Sequence, residues 1–446
     1  MSFSGRPSLG ELPFDILCRI FVWAQWPTLG LVSRAFHQVS QSVAVRARFF
    51  MAEFGRGRVL DGNVGLASRR PQAMRQDTVL LLLALGADPR ADDQWIVQHA
   101  SAHAWTLVLQ RLLTMRAPPR SPNGGLLRTQ MLDGWRGGGT ADQNAAPLLV
   151  DVHWASDAAL RTAAEAGQSA AIRMLVAAGA DVGVLDNEPL ALAAGAGHQD
   201  AVQTLLDCGA DAAASQSRAL RLAVLGGDAN VGCVRLLLER GADAAAMGNN
   251  SLLAAAYRGD GVAMPARSVV RRYARGPAPA ATSHVQLVGV LLDHGADPNA
   301  LGGKPLVFAC SRNSPRTAAL LAARGADVRA NEDEPLRLAA ERGFLPIVRL
   351  LLQGGADVHV MGELPLLNAA RGGHLDVVRA LLAAGADAAS VGGTRALVAA
   401  ARGDWPLVVA ELIAHGADAS DPGFTACALN SRAIRQMLGL QPPPAA

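Results

Sequence analysis

The amino-acid sequence predicts an all-α solenoid, a stack of small two-helix units that repeat along the chain. The tripeptide Gly-Ala-Asp recurs nine times, each time after an aliphatic run. From Gly295 onward the recurrences are spaced by 30, 30, 30 and 31 residues. A fixed period of this length is typical of stacked supersecondary units. Half of the residues are hydrophobic, enough to fill a long, thin core. The glycines of the nine tripeptides are Gly86, Gly179, Gly209, Gly241, Gly295, Gly325, Gly355, Gly385 and Gly416.

Residues 334–363 show how one unit is built. Pro335 suits the first turn of a helix, where a missing N–H costs little, and apolar residues follow at helical spacing. Gly343 is expected to end this first helix, and a second, leucine-rich helix follows. Gly355 ends the second helix in the left-handed conformation that glycine adopts readily. Asp357 can then accept hydrogen bonds from backbone N–H groups in the turn to the next unit.

These units resemble the ankyrin repeat, whose usual form is Thr-Pro-Leu-His-x-Ala-Ala, then Gly-His, a Leu-Leu helix and Gly-Ala-Asp. The Pro-Leu step is kept at Pro189, Pro305, Pro335 and Pro365, and the Gly-His step at Gly197 and Gly373. The resemblance covers residues from about 60 to 440. It implies a stack of helices whose surface binds another protein.

Two departures from the family pattern bear on the expected structure. The threonine and histidine around Pro-Leu are replaced, for example by Glu334 and Arg337, so their hydrogen bonds must be replaced or absent. The period is near 30 residues, whereas that of the family is about 33. Because the shortening falls in the hairpin between repeats, we expect blunt turns there, such as Asp186-Asn187 or Gly302-Gly303.

The early repeats are degenerate. Gly86 and Gly179 are 93 residues apart, which leaves room for an intermediate repeat with a first helix over 95–101 and a second helix ending near 112–117. Residues 118–157 are rich in proline and glycine. They are either a decayed repeat or a long loop.

A second irregularity lies between Gly241 and Gly295, which are 54 residues apart. The excess predicts an insertion at 261–284, between the two helices of one repeat, and we expect it to project into solvent. The chain then holds 11 or 12 repeats, and the last, at 425–440, is short, as expected of a capping unit.

Residues 9–54 do not fit the repeat, and their apolar residues have the spacing of three short helices. The run LPFDILCRIF…LGLVSRAFHQVS resembles an F-box, a domain that binds a Skp-type adaptor. The usual late Leu-Trp is replaced by Phe49-Phe50. The alternative is that these helices cap the first repeat. The adaptor-binding residues that the resemblance implies are Leu12, Pro13, Ile16, Leu17, Ile20, Phe21, Leu31, Val32 and Phe36.

Composition and motifs argue against several other classes. The net charge of +3 predicts no general attraction to nucleic acid or to an anionic membrane. No stretch of 18 apolar residues occurs, and the first ten residues lack the apolar core of a signal peptide. Five scattered cysteines without C-x-x-C spacing argue against disulfides and zinc, and for a reducing compartment. No nucleophile, zinc-protease or phosphate-loop motif occurs, so we expect no catalytic activity, cofactor or metal.

The two resemblances together imply a substrate-recognition subunit of a Skp–cullin–F-box ubiquitin ligase, located in the cytoplasm or nucleus and monomeric outside the complex. The alternative is an ankyrin-repeat scaffold unrelated to ubiquitin. In ankyrin proteins the ends of the first helices face the binding surface. Arginines recur there, which favours an acidic or phosphorylated segment of a partner protein. The expected partner-binding residues are Tyr257, Arg258, Arg312, Glu341, Arg342, Arg371 and Arg402.

The predicted organisation follows. It comprises a flexible N-terminus (1–8), an F-box-like three-helix domain (9–54), degenerate ankyrin repeats (55–157), an ankyrin-repeat solenoid of about 30-residue units (158–440) with its insertion (261–284), and a proline-rich tail (441–446).

Overall fold

The computed structural model describes residues 42–60, 62, 75–115, 149–260 and 283–439, and the regular structure of these residues is helical. The chain divides into two compact units, Met1–Asp211 and Ala212–Ala446. In the first unit the helices are α1 (Val43–Phe54), α2 (Gln76–Ala84), α3 (Ala91–Ala102), α4 (Thr106–Thr114), α5 (Trp154–Glu165), α6 (Ser169–Ala177), α7 (Val184–Ala196) and α8 (Gln199–Asp207).

The second unit continues the same alternation of a longer and a shorter helix. Its helices are α9 (Ala214–Leu225), α10 (Val231–Glu239), α11 (Ala246–Arg258), α12 (Val285–Asp293), α13 (Ala300–Ser311), α14 (Pro315–Ala323), α15 (Ala330–Glu341), α16 (Leu345–Gln353), α17 (Val360–Gly372), α18 (Leu375–Ala383), α19 (Val391–Arg402), α20 (Pro406–Ala414), α21 (Pro422–Asn430) and α22 (Arg432–Leu438).

The helices from α3 to α22 form ten pairs among the described residues. Within each unit the first helices of successive pairs pack side by side, and so do the second helices. Alanine and leucine dominate the buried layer between them, because small side chains let helices approach closely. Each unit is thus built as an α-solenoid, the predicted fold class.

Each Gly-Ala-Asp ends a second helix in the predicted way. Gly355 has φ 89°, in the left-handed region, and the N–H of Ala356 donates to the carbonyl of Leu351 at 3.0 Å. The bond satisfies a carbonyl that the end of the helix leaves free.

Short left-handed turns stand where the longer hairpins of the family pattern were expected to be shortened. In α15 the first turn, Asn331 to Asp333, has φ values of 52°, 58° and 53°. The same three-residue turn opens α5, α7, α9, α11, α13 and α17. Both expected blunt turns, Asp186-Asn187 and Gly302-Gly303, lie in such turns.

The third residue of the turn ties one pair to the next. Its side-chain oxygen accepts a hydrogen bond from the backbone N–H of the aspartate in the following Gly-Ala-Asp. We name this contact the turn clamp. The clamps join Asp181 to Asp157 (3.0 Å), Asp211 to Asn187 (2.8 Å), Asp243 to Ser217 (2.8 Å), Asp297 to Asn249 (2.7 Å) and Asp357 to Asp333 (2.9 Å). The hydrogen bonds of the missing family threonine and histidine are therefore replaced.

The pairs α3–α4 and α5–α6 are direct neighbours. The N–H of Leu149 donates to the carbonyl of Met115 at 2.9 Å, and the N–H of Asp151 donates to Gln94 Oε1 at 2.9 Å, as in a turn clamp. Residues 116–148, which hold most of the possible decayed repeat, lie outside the described residues. They connect two pairs that already stack on each other, and the predicted boundary at residue 157 falls inside the first turn of α5.

The segment 261–282 also lies outside the described residues. It connects α11 to α12, the two helices of one pair. Its flanks belong to the repeat, because the N–H of His284 donates to Gly259 O at 2.8 Å and the N–H of Asp228 donates to Ser283 O at 2.9 Å.

Helix α1 contains the apolar residues expected in the third N-terminal helix. Phe49 and Phe50 are buried, and α1 packs against α2. For this helix the contacts agree with the alternative reading, a cap on the first repeat.

Candidate functional site: a row of arginines at the ends of the first helices

Five arginines lie at the C-terminal ends of five successive first helices in the second unit. We call them the arginine row. Because α11, α13, α15, α17 and α19 pack side by side, their last turns lie along one edge of the unit. The row consists of Arg258, Arg312, Arg342, Arg371 and Arg402.

An aromatic residue orders the first two members of the row. The guanidinium carbon of Arg312 lies 4.7 Å from the ring centroid of Tyr257, a cation–π contact. The Tyr257 ring packs edge to face on Phe308, with centroids 5.6 Å apart. Arg312 Nε is buried and has no hydrogen-bond partner among the described residues. Burial also lowers the pKa of Arg258.

Two members of the row cap the preceding first helix. Arg258 Nη1 donates to the carbonyl of Leu225 at 2.8 Å, and Arg342 Nη1 donates to the carbonyl of Ser311. Both carbonyls belong to the last residue of a helix, which has no partner within the helix and carries partial negative charge. Capping fixes each guanidinium in place while most of its five N–H donors remain for other groups.

Glu341 forms an exposed ion pair within the row. Arg371 Nη2 lies 3.5 Å from Glu341 Oε1 and 3.2 Å from Asn368 Oδ1. Both charged side chains are about half exposed, so this pair contributes little to stability and can exchange for a partner's carboxylate.

The neighbouring carboxylates are already engaged. Asp260 accepts from the N–H groups of Arg316 (3.0 Å) and Thr317 (3.1 Å), at the start of α14. Asp404 accepts from the hydroxyl of Ser431. Five arginines therefore face three carboxylates, those of Glu341, Asp260 and Asp404, and the edge is basic.

The sequence interpretation missed the ring that lies beside each glycine of this edge. His374 Nε2 lies 3.0 Å from the carbonyl of Glu341, and Trp405 Nε1 donates to the carbonyl of Arg371 at 3.3 Å. A Cβ on Gly343 would overlap the His374 ring, and one on Gly373 the Trp405 ring. The available signal was positional, since both rings stand directly before a second helix.

The nine residues expected to bind an adaptor, from Leu12 to Phe36, lie outside the described residues. Within the described ranges no group of three or more histidine, cysteine or acidic residues could hold a metal ion. Over the same ranges no helix is long and apolar enough to cross a membrane. Burial raises the pKa of Cys233 to about 11 and that of Cys310 to about 12, so both remain thiols at neutral pH.

Comparison with known proteins agrees with the geometry. A family model described as ankyrin repeats (3 copies) matches residues 160–248 and 328–391. No curated protein matches the chain. The matched residues include the pairs with the left-handed turns and the two Gly-His steps. The helical pairs in these two segments are ankyrin repeats.

Proposed function

We propose that this chain is a receptor that holds a partner protein on its ankyrin repeats and joins it to a Skp-type adaptor and a cullin scaffold through its N-terminal segment. Ankyrin repeats are protein-interaction modules, and that coarser role rests on the family match. The link to ubiquitin rests on the F-box resemblance of residues 9–54. The chain would work in the cytoplasm or nucleus and act by proximity, holding a target lysine near the charged enzyme.

The arginine row is the observation that carries the proposed binding role. Its guanidinium groups are held in place and outnumber the carboxylates beside them. Arginine binds carboxylate and phosphate groups through two parallel hydrogen bonds, so an acidic or phosphorylated segment is the partner that this edge fits.

The binding role is tested by charge reversal at members of the row that cap no helix. Arg371→Glu with Arg402→Glu should reduce capture of the partner at least tenfold, as measured by affinity purification and mass spectrometry. Arg349→Glu is the matched control, because Arg349 is an exposed arginine on the second helix α16. Equal capture by the double variant and the control would refute the assignment.

The adaptor role has a separate test. Replacing Leu12 and Pro13 by alanine should abolish co-purification of Skp, because losing a buried leucine costs about 2–5 kcal/mol. The helical circular dichroism signal of the repeats should not change. Undiminished Skp binding would leave the alternative, an ankyrin scaffold unrelated to ubiquitin.

A further inference from the structure

One end of the arginine row carries two exposed apolar side chains. Trp405 is 41% exposed and Leu407 is 68% exposed. Trp405 directly precedes α20 and Leu407 is its second residue, so both lie next to Arg402 at the end of α19. We call these two residues the apolar platform.

The Trp405 ring is fixed rather than free to fold away. Its Nε1 donates to the carbonyl of Arg371, and the ring lies where a Cβ of Gly373 or of Gly403 would have to be. An indole that is fixed and exposed offers a large contact area at little further loss of side-chain entropy.

The platform is confined to this end of the row. In the preceding pairs the residues that correspond to Trp405 are Ser314, Phe344 and His374, and those that correspond to Leu407 are Arg316, Pro346 and Asp376. Along these pairs, only α20 joins a large exposed ring to an exposed aliphatic side chain.

We propose that the segment held by the arginine row is acidic along its length and carries one large apolar side chain at the end that reaches α20, seated on Trp405 and Leu407. This inference rests on the proposed binding role and adds polarity to it. The charge of the row selects the acidic part, and tryptophan is the residue most often found where a few contacts dominate the energy of an interface. The platform fixes the direction and register of the segment.

The size of the edge sets the length of the probe. Neighbouring helices are about 8–10 Å apart, so the four steps from Arg258 to Arg402 span about 32–40 Å. A twelve-residue extended peptide spans about 40 Å. Three fluorescent glutamate-rich peptides of twelve residues are therefore compared by anisotropy on the full chain: one with N-terminal phenylalanine, one with C-terminal phenylalanine and one with alanine at both ends.

One phenylalanine peptide should bind at least tenfold more tightly than the alanine peptide. Leu407→Asp should remove that advantage and leave binding of the alanine peptide unchanged. Trp405→His should reduce the advantage without unfolding the protein, because His374 fills the corresponding place one pair earlier. Arg349→Glu should change neither affinity.

Equal affinity of the three peptides would overturn the platform and leave the row as a binding site. An advantage for a phenylalanine peptide that persists in both platform variants would also overturn it. Failure of all three peptides to bind would reject the acidic-partner assignment itself, and the platform with it.

Discussion

Single side chains hold the repeats in register. The clearest case is Asn249, buried at the third position of its left-handed turn, whose Oδ1 accepts from the N–H of Asp297 at 2.7 Å. Asparagine suits the site twice, because it tolerates a positive φ and its short side chain reaches the next repeat.

Asn249→Ala should lower the free energy of unfolding by about 1–3 kcal/mol, since the Asp297 N–H loses its acceptor and a φ of 64° suits alanine poorly. The chain offers a matched control in the adjacent Asn250, which is exposed. Asn250→Ala should change the value by less than about 0.5 kcal/mol. Urea titration of both variants decides the matter, and equal losses would contradict the clamp.

His359 and Glu363 predict a local pH dependence. His359 Nδ1 lies 2.6 Å from Glu363 Oε1, across the left-handed turn that opens α17. The hydrogen bond with Glu363 raises the pKa of His359, and the charges of Glu363, Asp357 and Asp387 act in the same direction. A histidine whose folded-state pKa is raised stabilises the protein fully below its unfolded pKa of about 6.5, and the stabilisation is lost as pH rises through the folded-state value.

His359→Gln removes this contribution. The melting temperature of the natural protein should exceed that of the variant most at about pH 6, and the difference should shrink towards about pH 8.5. Thermal melts at several pH values measure it. A difference that stays constant or grows with pH would show that the ion pair does not control this turn.

At the scale of helices, close packing depends on a few glycines. Gly392 lies in the first turn of α19, where an added Cβ would overlap the carbonyl oxygen of Gly362 and lie 2.8 Å from the Cβ of Glu363. Gly289, within α12, has only Leu320 Cδ2 nearby, at 3.7 Å. The two glycines are therefore expected to respond in opposite ways to the same substitution.

Gly392→Ala should destabilise the protein by about 1–3 kcal/mol, because α19 must move away from α17. Gly289→Ala should stabilise it by about 0.5–1 kcal/mol, because alanine is the better helix former and the space is sufficient. Chemical denaturation gives both values, and a stabilising Gly392→Ala would show that the packing is looser than described.

The left-handed turns are the elements that the sequence predicts least well. Leu301 and Met361 open two of these turns with φ values of 51° and 52°, a conformation that costs such residues about 1–2 kcal/mol. Local preference therefore argues against the turns. They form because the third residue bonds to the following repeat, a contact that no reading of one unit alone would reveal.

At the scale of the whole molecule, periodicity predicts most of the fold and the alignment of the arginine row. A repeat of 30 residues puts equivalent positions at the same edge of each unit, so Arg342 and Arg371 could be assigned to one surface from spacing alone. The helix carbonyls that Arg258 and Arg342 cap, and the Trp405 ring, could not be predicted. These contacts depend on which side chain of one pair reaches the backbone of the previous pair.

Helix α1 should be needed at the start of the stack. A fragment of residues 55–446 loses Phe49 and Phe50 and exposes the face of α2 that they cover, whereas a fragment of residues 42–446 keeps both. The shorter fragment should melt several degrees lower, because burying one large apolar side chain contributes about 1.5–3 kcal/mol. Identical melting temperatures would mean that α1 is dispensable, and 42–446 is the better fragment for testing the adaptor in isolation.

The direct hydrogen bond between Leu149 and Met115 has a practical consequence. The two positions are joined whatever chain runs between them, so the site is a natural docking port for a foreign domain. A fluorescent protein whose termini lie close together could replace residues 116–148 while both neighbouring pairs keep their stacking. Such a chimera would carry its reporter in the interior of the chain and leave both the N-terminal segment and the arginine row unobstructed for binding studies in cells.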